Sequence, residues 1–566
     1  MSADQAIEVT TLIEALSRPE AYPHLADTIE VHQTHISVVF LAGLFAYKLK
    51  KPVNLGFLDF STLDKRRHYC EEEVRLNRRL APQVYLGVVP ITSEPEAQAR
   101  AGSDCLTCAS GSRGLRFGGS GPIVEWAVQM KRLPSEATLE NRLLRHEVNA
   151  GQIRALAERI AEFYRAAQSS EHIASFARFA TVAHNARENF KQAQPLIGAT
   201  VSPVVFERVR ALTEAQLARY HELIETRAER GVPRDTHGDL HLDHVYLFPD
   251  EAPPNDLLMI DCIEFADRFR FADPVADMAF LLMDLAFHGR RDLARVFAEA
   301  YFETSGDVEG RSLVPFYSAY RAVVRAKVEG MELCEKEIDA EGRRQAEQRA
   351  KAHWLLALWE LEEPVNRPAL VLVGGLPGSG KSTLGRSLAE AASFSELRSN
   401  VIRKELTSGS HAPAWEPPVP TPERGNESRP APEFGTGIYT EAWTERTYAE
   451  LLQRGERLLW QGGRVLIDAN FRADRQRQAF FDAARRWGVA VLFIQCQAAQ
   501  ELTRIRLQSR RHDASDADWR VYERLEQTWQ PVRPEWRRMT YLMDTSGPVD
   551  ENVTHLQTIL RQEGLM

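Results

Sequence analysis

Cysteine is scarce in this chain, six residues in 566. That excludes a disulfide-stapled scaffold and suits a reducing compartment. No apolar run approaches the roughly 18–20 residues that span a bilayer. The opening stretch, Met1 to Leu16, carries acidic residues where a secretory signal would be basic. Basic residues are not in excess either. Lys and Arg number 70 against 79 Asp and Glu, for a net charge of −9 and a pI near 6.0. That balance argues against a nucleic-acid-binding coat and makes nucleic acid a disfavoured partner. No internal repeat of fixed period is present, so a solenoid is excluded. The expectation is a cytoplasmic protein with no membrane partner. Hydrophobic residues at 44% and charged residues at 26% are ordinary for folded domains. At about 100–200 residues per domain, the length favours three or four units.

Two halves differ in pattern. Ile36–Leu41 and Phe45–Lys50 are β-type runs about Ala42-Gly43, a hairpin signal. Leu63–Leu80 reads as an amphipathic helix with Val74, Leu76 and Leu80 as its apolar positions. Pro90–Pro122 is rich in Gly and Ser and holds Cys105 and Cys108, a lone C-x-x-C without the two further ligands that zinc needs. Helical pattern fills 138–230, strand-like segments return at 235–248 and 257–265, and helices follow to about Leu361. After a proline break at 362–368, short apolar strands alternate with helices, the signature of a parallel sheet. The expected division is therefore 1–361, with one lobe to about residue 130 and a helical lobe over 131–361, then a linker 362–368, then 369–566. Seven prolines within 408–434 mark an insertion rather than core.

Gly375-Leu-Pro-Gly378-Ser379-Gly380-Lys381-Ser382, followed by Thr383, fits G-x-x-x-x-G-K-[ST]. About 0.02 such matches arise by chance in a chain this long at average composition. Glycines let backbone N–H groups curl around a phosphate at a helix N-terminus. Lys381 then reaches the β- and γ-phosphates and the Ser382 hydroxyl a Mg²⁺ ion. Asp468, ending the run Arg464–Asp468, is the candidate second carboxylate for that metal. Arg506 and Arg510 share one helical face and are candidates to close over phosphate. With Leu397–Lys404 and Ile467–Phe471, this region resembles small P-loop kinases of the polynucleotide- and gluconate-kinase type. In several of those an Asp after the second strand engages the acceptor hydroxyl. Here that position is Asn400, which cannot act as a base.

In the first half, His237-Gly-Asp239-Leu-His241 precedes Asp243-His244, and Asp261 follows 22 residues after Asp239. Phosphoryl transfer to a hydroxyl needs one carboxylate near the acceptor and another on the metal. Lys48 is placed to meet the α- and β-phosphates, with Glu73 as its partner in preference to Glu71 and Glu72. No G-x-G-x-x-G precedes Lys48.

The set resembles the aminoglycoside phosphotransferase and choline-kinase-like family, in the branch fused to a P-loop kinase. That resemblance implies Asp239 as catalytic base, Asp261 as metal ligand and a structural role for Asp273–Asp277. The family places an Asn five residues after the base. This chain has His244 there, so Asp243 and His244 are both candidates for the second metal ligand. The implied fold is an α+β protein-kinase-like region of two lobes plus an α/β P-loop domain with a parallel sheet. The implied function is an ATP- and Mg²⁺-dependent phosphotransferase acting on a hydroxylated small molecule, fused to a nucleotide-binding P-loop domain. The alternatives are a regulatory ATPase with a non-catalytic kinase-like domain and a nucleic-acid end kinase.

Overall fold

The computed structural model describes residues 8–56, 58–94, 114–334, 338–407, 440–509 and 518–566. Cys105, Cys108, the proline-rich segment 408–434 and Arg510 lie outside them. The chain forms two compact units. One comprises Met1–Val182, His221–Leu285 and Arg291–Val314, the other Ala183–Tyr220, Ala286–Arg290 and Pro315–Met566.

In the first unit six strands make one antiparallel sheet: β1 (Ile29–Gln33), β2 (Ser37–Ala42), β3 (Phe45–Lys50), β4 (Tyr85–Glu94), β5 (Gly114–Phe117) and β6 (Ile123–Lys131). Their order is β1-β2-β3-β6-β4-β5. Gly43, at φ +58°, turns the chain from β2 into β3. Alternation along β3 then sorts its side chains. Tyr47 and Leu49 join Leu12 and Leu16 on one face. Ala46 joins Cys70 and Val74 of the helix Leu63–Asn77 on the other. Lys48 and Lys50 fall on that second face, under the helix.

The helix Leu63–Asn77 starts at Thr62, whose hydroxyl accepts from the Lys65 N–H. Val74 and Leu76 are buried, as the apolar pattern predicts, but Leu80 lies beyond the helix end. The buried set also includes Arg66, Glu73 and Asn77. Each has a fixed polar partner. Arg66 donates to both oxygens of Glu125, at 2.9 and 2.8 Å. Asn77 accepts from the Cys262 N–H at 2.9 Å.

Helices Ala150–Ala166 and Arg291–Ser305 form the helical lobe with the N-terminal part of Pro274–Phe287. The expected strands 235–248 and 257–265 shrink to a three-residue hairpin, Val245–Leu247 paired antiparallel with Leu257–Met259.

The second unit carries a five-stranded parallel sheet in the order Ser395–Arg398, Arg464–Asp468, Ala369–Gly374, Ala490–Gln497, Thr540–Asp544. Its central strand, Ala369–Gly374, and the neighbouring Arg464–Asp468 are buried at every residue. That burial is characteristic of a sheet covered on both faces. The fold is therefore a two-lobed α+β unit and an α/β unit whose parallel sheet carries the phosphate loop.

The compact units do not follow the division at 362–368. Residues 183–220 and 315–361 belong with the phosphate loop. Trp354 is buried there, against Phe190 and Phe206. A Cβ on Gly462 would come within 2.6 Å of Leu358, and one on Gly488 within 3.0 Å of the Ala352 carbonyl. Helix Ala340–Leu361 thus lies directly on the turns that lead into two sheet strands. Among the described residues no helix is long and apolar enough to cross a membrane.

Arg227, 1% exposed, ties the helical lobe together. It donates to both oxygens of Asp273, at 2.7 and 3.0 Å, and to both of Asp307, at 2.7 Å each. Burial pulls the Asp307 carboxyl up, but Arg227 outweighs it and holds the group below its ordinary range. This stabilisation is present at neutral pH and fades as pH falls through the depressed value. Arg227→Leu strands two carboxylates. We expect it to cost about 3–5 kcal/mol in urea unfolding; an unchanged midpoint would contradict that.

Candidate functional site

The hairpin Val245–Leu247/Leu257–Met259 sets the geometry of the first site. The Ile260 N–H donates to the His244 carbonyl at 3.0 Å, extending the ladder by one step. The loop entering the hairpin and the segment leaving it therefore emerge at the same end, and bring Asp239 and Asp261 together. The fully buried Asp277 holds the loop. It accepts from the His237 N–H at 2.8 Å, the Gly238 N–H at 3.0 Å and the Tyr164 hydroxyl at 2.9 Å. Gly238 has φ +90°, and a Cβ there would meet the Phe269 carbonyl at 3.0 Å. Asp261 itself sits at φ +67°, a left-handed conformation that costs a non-glycine residue on the order of 1–3 kcal/mol. The Tyr85 hydroxyl, accepting from the Asp261 N–H at 3.1 Å, and Asn77 on the next residue hold it there.

Lys48 Nζ lies 2.5 Å from Asp261 Oδ1 and 3.0 Å from Glu73 Oε1. Glu71 and Glu72 pair instead with Arg67 and Arg75 on the outer surface of the helix. Sequence reasoning missed Lys50, which donates to Glu73 Oε2 at 2.7 Å and pairs with Glu264. The signal was available in the two-residue spacing from Lys48, which places both amines on one face. Burial opposes charge on both lysines, yet the carboxylates outweigh it and raise both above the ordinary lysine value. For Asp261 burial is likewise outweighed, chiefly by Lys48, and the carboxyl is held below its usual range.

Around Asp239 stand two histidines. His241 Nε2 is 3.6 Å and His244 Nδ1 3.7 Å from Asp239 Oδ2. His244 Nδ1–H donates to the Asp239 main-chain carbonyl at 2.8 Å. Its Nε2 lies 3.7 Å from Asp261 Oδ2. Burial, then His241, pushes the His244 imidazole down to about 4. Asp243 faces elsewhere. It shares a hydrogen bond with Glu140 and lies 4.0 Å from His241 Nδ1, and burial pushes its carboxyl up to about 7. Of the two candidates for a second ligand, His244 is the one that meets Asp261.

In the second unit strand Ala369–Gly374 runs into the loop at Gly375, and Gly380 precedes the helix Lys381–Ala391. Gly375, Gly378 and Gly380 all have positive φ. A Cβ on Gly375 would lie 2.6 Å from the Cys496 carbonyl, and one on Gly378 2.8 Å from Thr503. At Gly375 and Gly378 the left-handed backbone and these contacts together require glycine. Parallel pairing sets Val373 opposite Asp468, so the loop and that carboxylate occupy neighbouring strand ends. Asp468 is buried, with Arg398 Nε 3.5 Å from its Oδ2. Asp468 Oδ1, Ser379 Oγ and Arg506 Nη1 are buried without a hydrogen-bond partner. That donor and acceptor set fits a phosphate and its cation. Arg506 Nη2 donates to the Thr545 carbonyl at 2.7 Å. A cavity of about 420 Å³ is lined by Gly378, Gly380, Lys381, Ser382, Thr383 and Arg506 among others. Asn400 lies in the first turn of the helix Ser399–Thr407, partly buried.

An AAA domain family, AAA_33, matches residues 370–532. Among solved structures, the GDP complex of aminoglycoside 2'-phosphotransferase-IIIa aligns over 62% of this chain and 99% of its own, at 14% identity and TM-score 0.36. A gluconokinase from Sinorhizobium meliloti 1021 aligns over 35% of this chain and 93% of its own, at 15% identity and TM-score 0.23. The uncharacterized protein Rv2004c of Mycobacterium tuberculosis is 31% identical over 533 residues, 94% of this chain and 95% of that one. At 31% identity over an alignment that spans both units, this chain belongs to one family with the mycobacterial protein Rv2004c.

Proposed function

We propose that the first unit transfers the γ-phosphoryl group of ATP to the hydroxyl of a small molecule, and that the second unit binds ATP at its phosphate loop. The observation that carries this reading is the meeting of Asp239, Asp261 and the Lys48–Glu73 pair at one end of a short hairpin. The Asp239 side chain is 37% exposed, so an acceptor hydroxyl can approach and give its proton to the carboxylate. Lys48 is positioned for the α- and β-phosphates and is kept from turning away by Glu73. Asp261, with His244, would hold the metal. That ion, when bound, neutralises charge on the transferred phosphate.

In the second unit Lys381 and Arg506 would contact phosphate oxygens, while Ser382 and Asp468 would hold Mg²⁺. The amide of Asn400 cannot take a proton from an acceptor. Acceptor chemistry is therefore assigned to the first unit, and ATP binding or hydrolysis to the second. The same amide, with the net charge of −9, disfavours an end kinase for nucleic acid.

Two substitutions test these assignments in the full chain. Asp239→Asn is expected to lower phosphate transfer to an acceptor, found by screening hydroxylated metabolites with ATP, by at least about 10²-fold. ATP affinity should hardly change; equal turnover would support the non-catalytic alternative. Lys381→Ala removes a charged phosphate contact worth about 1.5–3 kcal/mol. Calorimetry should then show one ATP-binding event weakened about 10- to 100-fold, and an unchanged isotherm would remove the phosphate-loop assignment.

A further inference from the structure

The imidazole of His244 is held from several sides. Its main-chain N–H donates to the His241 carbonyl at 3.1 Å, and its carbonyl accepts from the Ile260 N–H at 3.0 Å. Its ring lies on that of His241, centroids 3.9 Å apart. A carbonyl oxygen can only accept, so the contact to Asp239 requires the proton on Nδ1 and leaves the lone pair on Nε2. That lone pair faces Asp261 Oδ2 across 3.7 Å. The other carboxylate oxygen, Oδ1, is taken by Lys48. One nitrogen and one oxygen, each with electrons to give, thus confront each other across a gap that two metal–ligand bonds of about 2.1 Å can bridge. A backbone carbonyl that fixes the tautomer of a histidine is also the usual support behind a metal-binding imidazole.

We propose that the first unit binds its nucleotide with a divalent ion that accepts nitrogen beside oxygen, Mn²⁺ in preference to Mg²⁺, through His244 Nε2 and Asp261 Oδ2. Mg²⁺ takes oxygen ligands and gives up its waters reluctantly. Imidazole suits first-row transition ions better. The residues present therefore fit an all-oxygen Mg²⁺ site poorly and a mixed site well. The inference rests on the phosphotransferase reading of the same unit.

The test uses the full chain carrying Lys381→Ala together with Ser382→Ala and Asp468→Asn, which weaken the phosphate loop as a competing nucleotide site and take away the metal ligands assigned to it. Mn²⁺ is titrated with a non-hydrolysable ATP analogue and followed by electron paramagnetic resonance. The expected result is a bound Mn²⁺ whose spin-echo modulation reports a directly coordinated nitrogen, displaced only by about a tenfold or greater excess of Mg²⁺. His244→Asn should abolish the nitrogen modulation and bring the two ions within a few-fold of each other, and His244→Gln should do the same if the first variant does not fold. Bound Mn²⁺ without nitrogen modulation, or Mg²⁺ competing equally in the parent, would overturn the proposal. So would the absence of any bound Mn²⁺. A failure of the phosphotransferase reading would look different. Nitrogen-ligated Mn²⁺ would be retained, while no hydroxyl acceptor gained phosphate with either ion.

Discussion

Glu73 has no solvent exposure, and a carboxylate in that position persists only if cations reach it. Two do, both from β3. One oxygen meets Lys48 and the other Lys50. Because alternate residues of a strand share a face, a single helix residue can engage both. The double contact pins the helix Leu63–Asn77 to the sheet by charge as well as by the packing of Cys70 and Val74. From there the network extends to Glu264 through Lys50 and to Asp261 through Lys48. Two ammonium groups thus face three carboxylates. The excess negative charge falls toward Asp261, whose side chain is 38% exposed while Glu73 and Glu264 are buried. An unbalanced charge cluster with one open member is suited to a cation arriving with a nucleotide.

Lys50 gives Glu73 a second cation that is independent of Lys48. Were a phosphate to draw Lys48 from Asp261, as proposed, Glu73 would still keep Lys50 as its cation, so the helix need not shift. The backbone follows the same logic. Asp277 spends its carboxylate on two loop N–H groups and a tyrosine hydroxyl, and so fixes the backbone of the loop that carries Asp239. The groups that hold the backbone and helix in place, Glu73 and Asp277, are fully buried, whereas the side chains of Asp239 and Asp261 are more than a third exposed.

What could be read in the sequence was whatever local chemistry fixes. The phosphate loop is legible because its glycines, lysine and hydroxyl lie within nine residues and each answers a steric or electrostatic demand of one phosphate. Asp239 and Asp261 are legible because a short hairpin must return the chain to the same end. Glu73 could be chosen over Glu71 and Glu72, since only one of three consecutive helix positions faces the sheet. By contrast, Lys50–Glu264 and Arg66–Glu125 join residues 214 and 59 positions apart. The polar buried face of the helix Leu63–Asn77 defeats any reading in which the inward face must be apolar. The apolar positions Val74 and Leu76 were identified, but half of what holds the helix is charge and amide.

The boundary between the units shows the same limit. A proline-flanked break at 362–368 marks where the chain changes pattern, yet a pattern change reports local propensity and not where apolar surface is covered. Trp354, Leu355, Leu356 and Leu358 lie just before the break and are buried. Their cover is in the unit of the parallel sheet: Trp354 packs on Phe190 and Phe206, and the helix comes close to the turns at Gly462 and Gly488 through Leu358 and Ala352. Two glycines, chosen for close approach of a helix, thus record a packing decision that neither strand nor helix periodicity contains. A chain severed at the break would strip the helix Ala340–Leu361 from the turns that bury it, exposing several large apolar side chains at once. The helix belongs to the unit that carries the phosphate loop, so a cut at the break would divide that unit's own core and would not part the two units from each other.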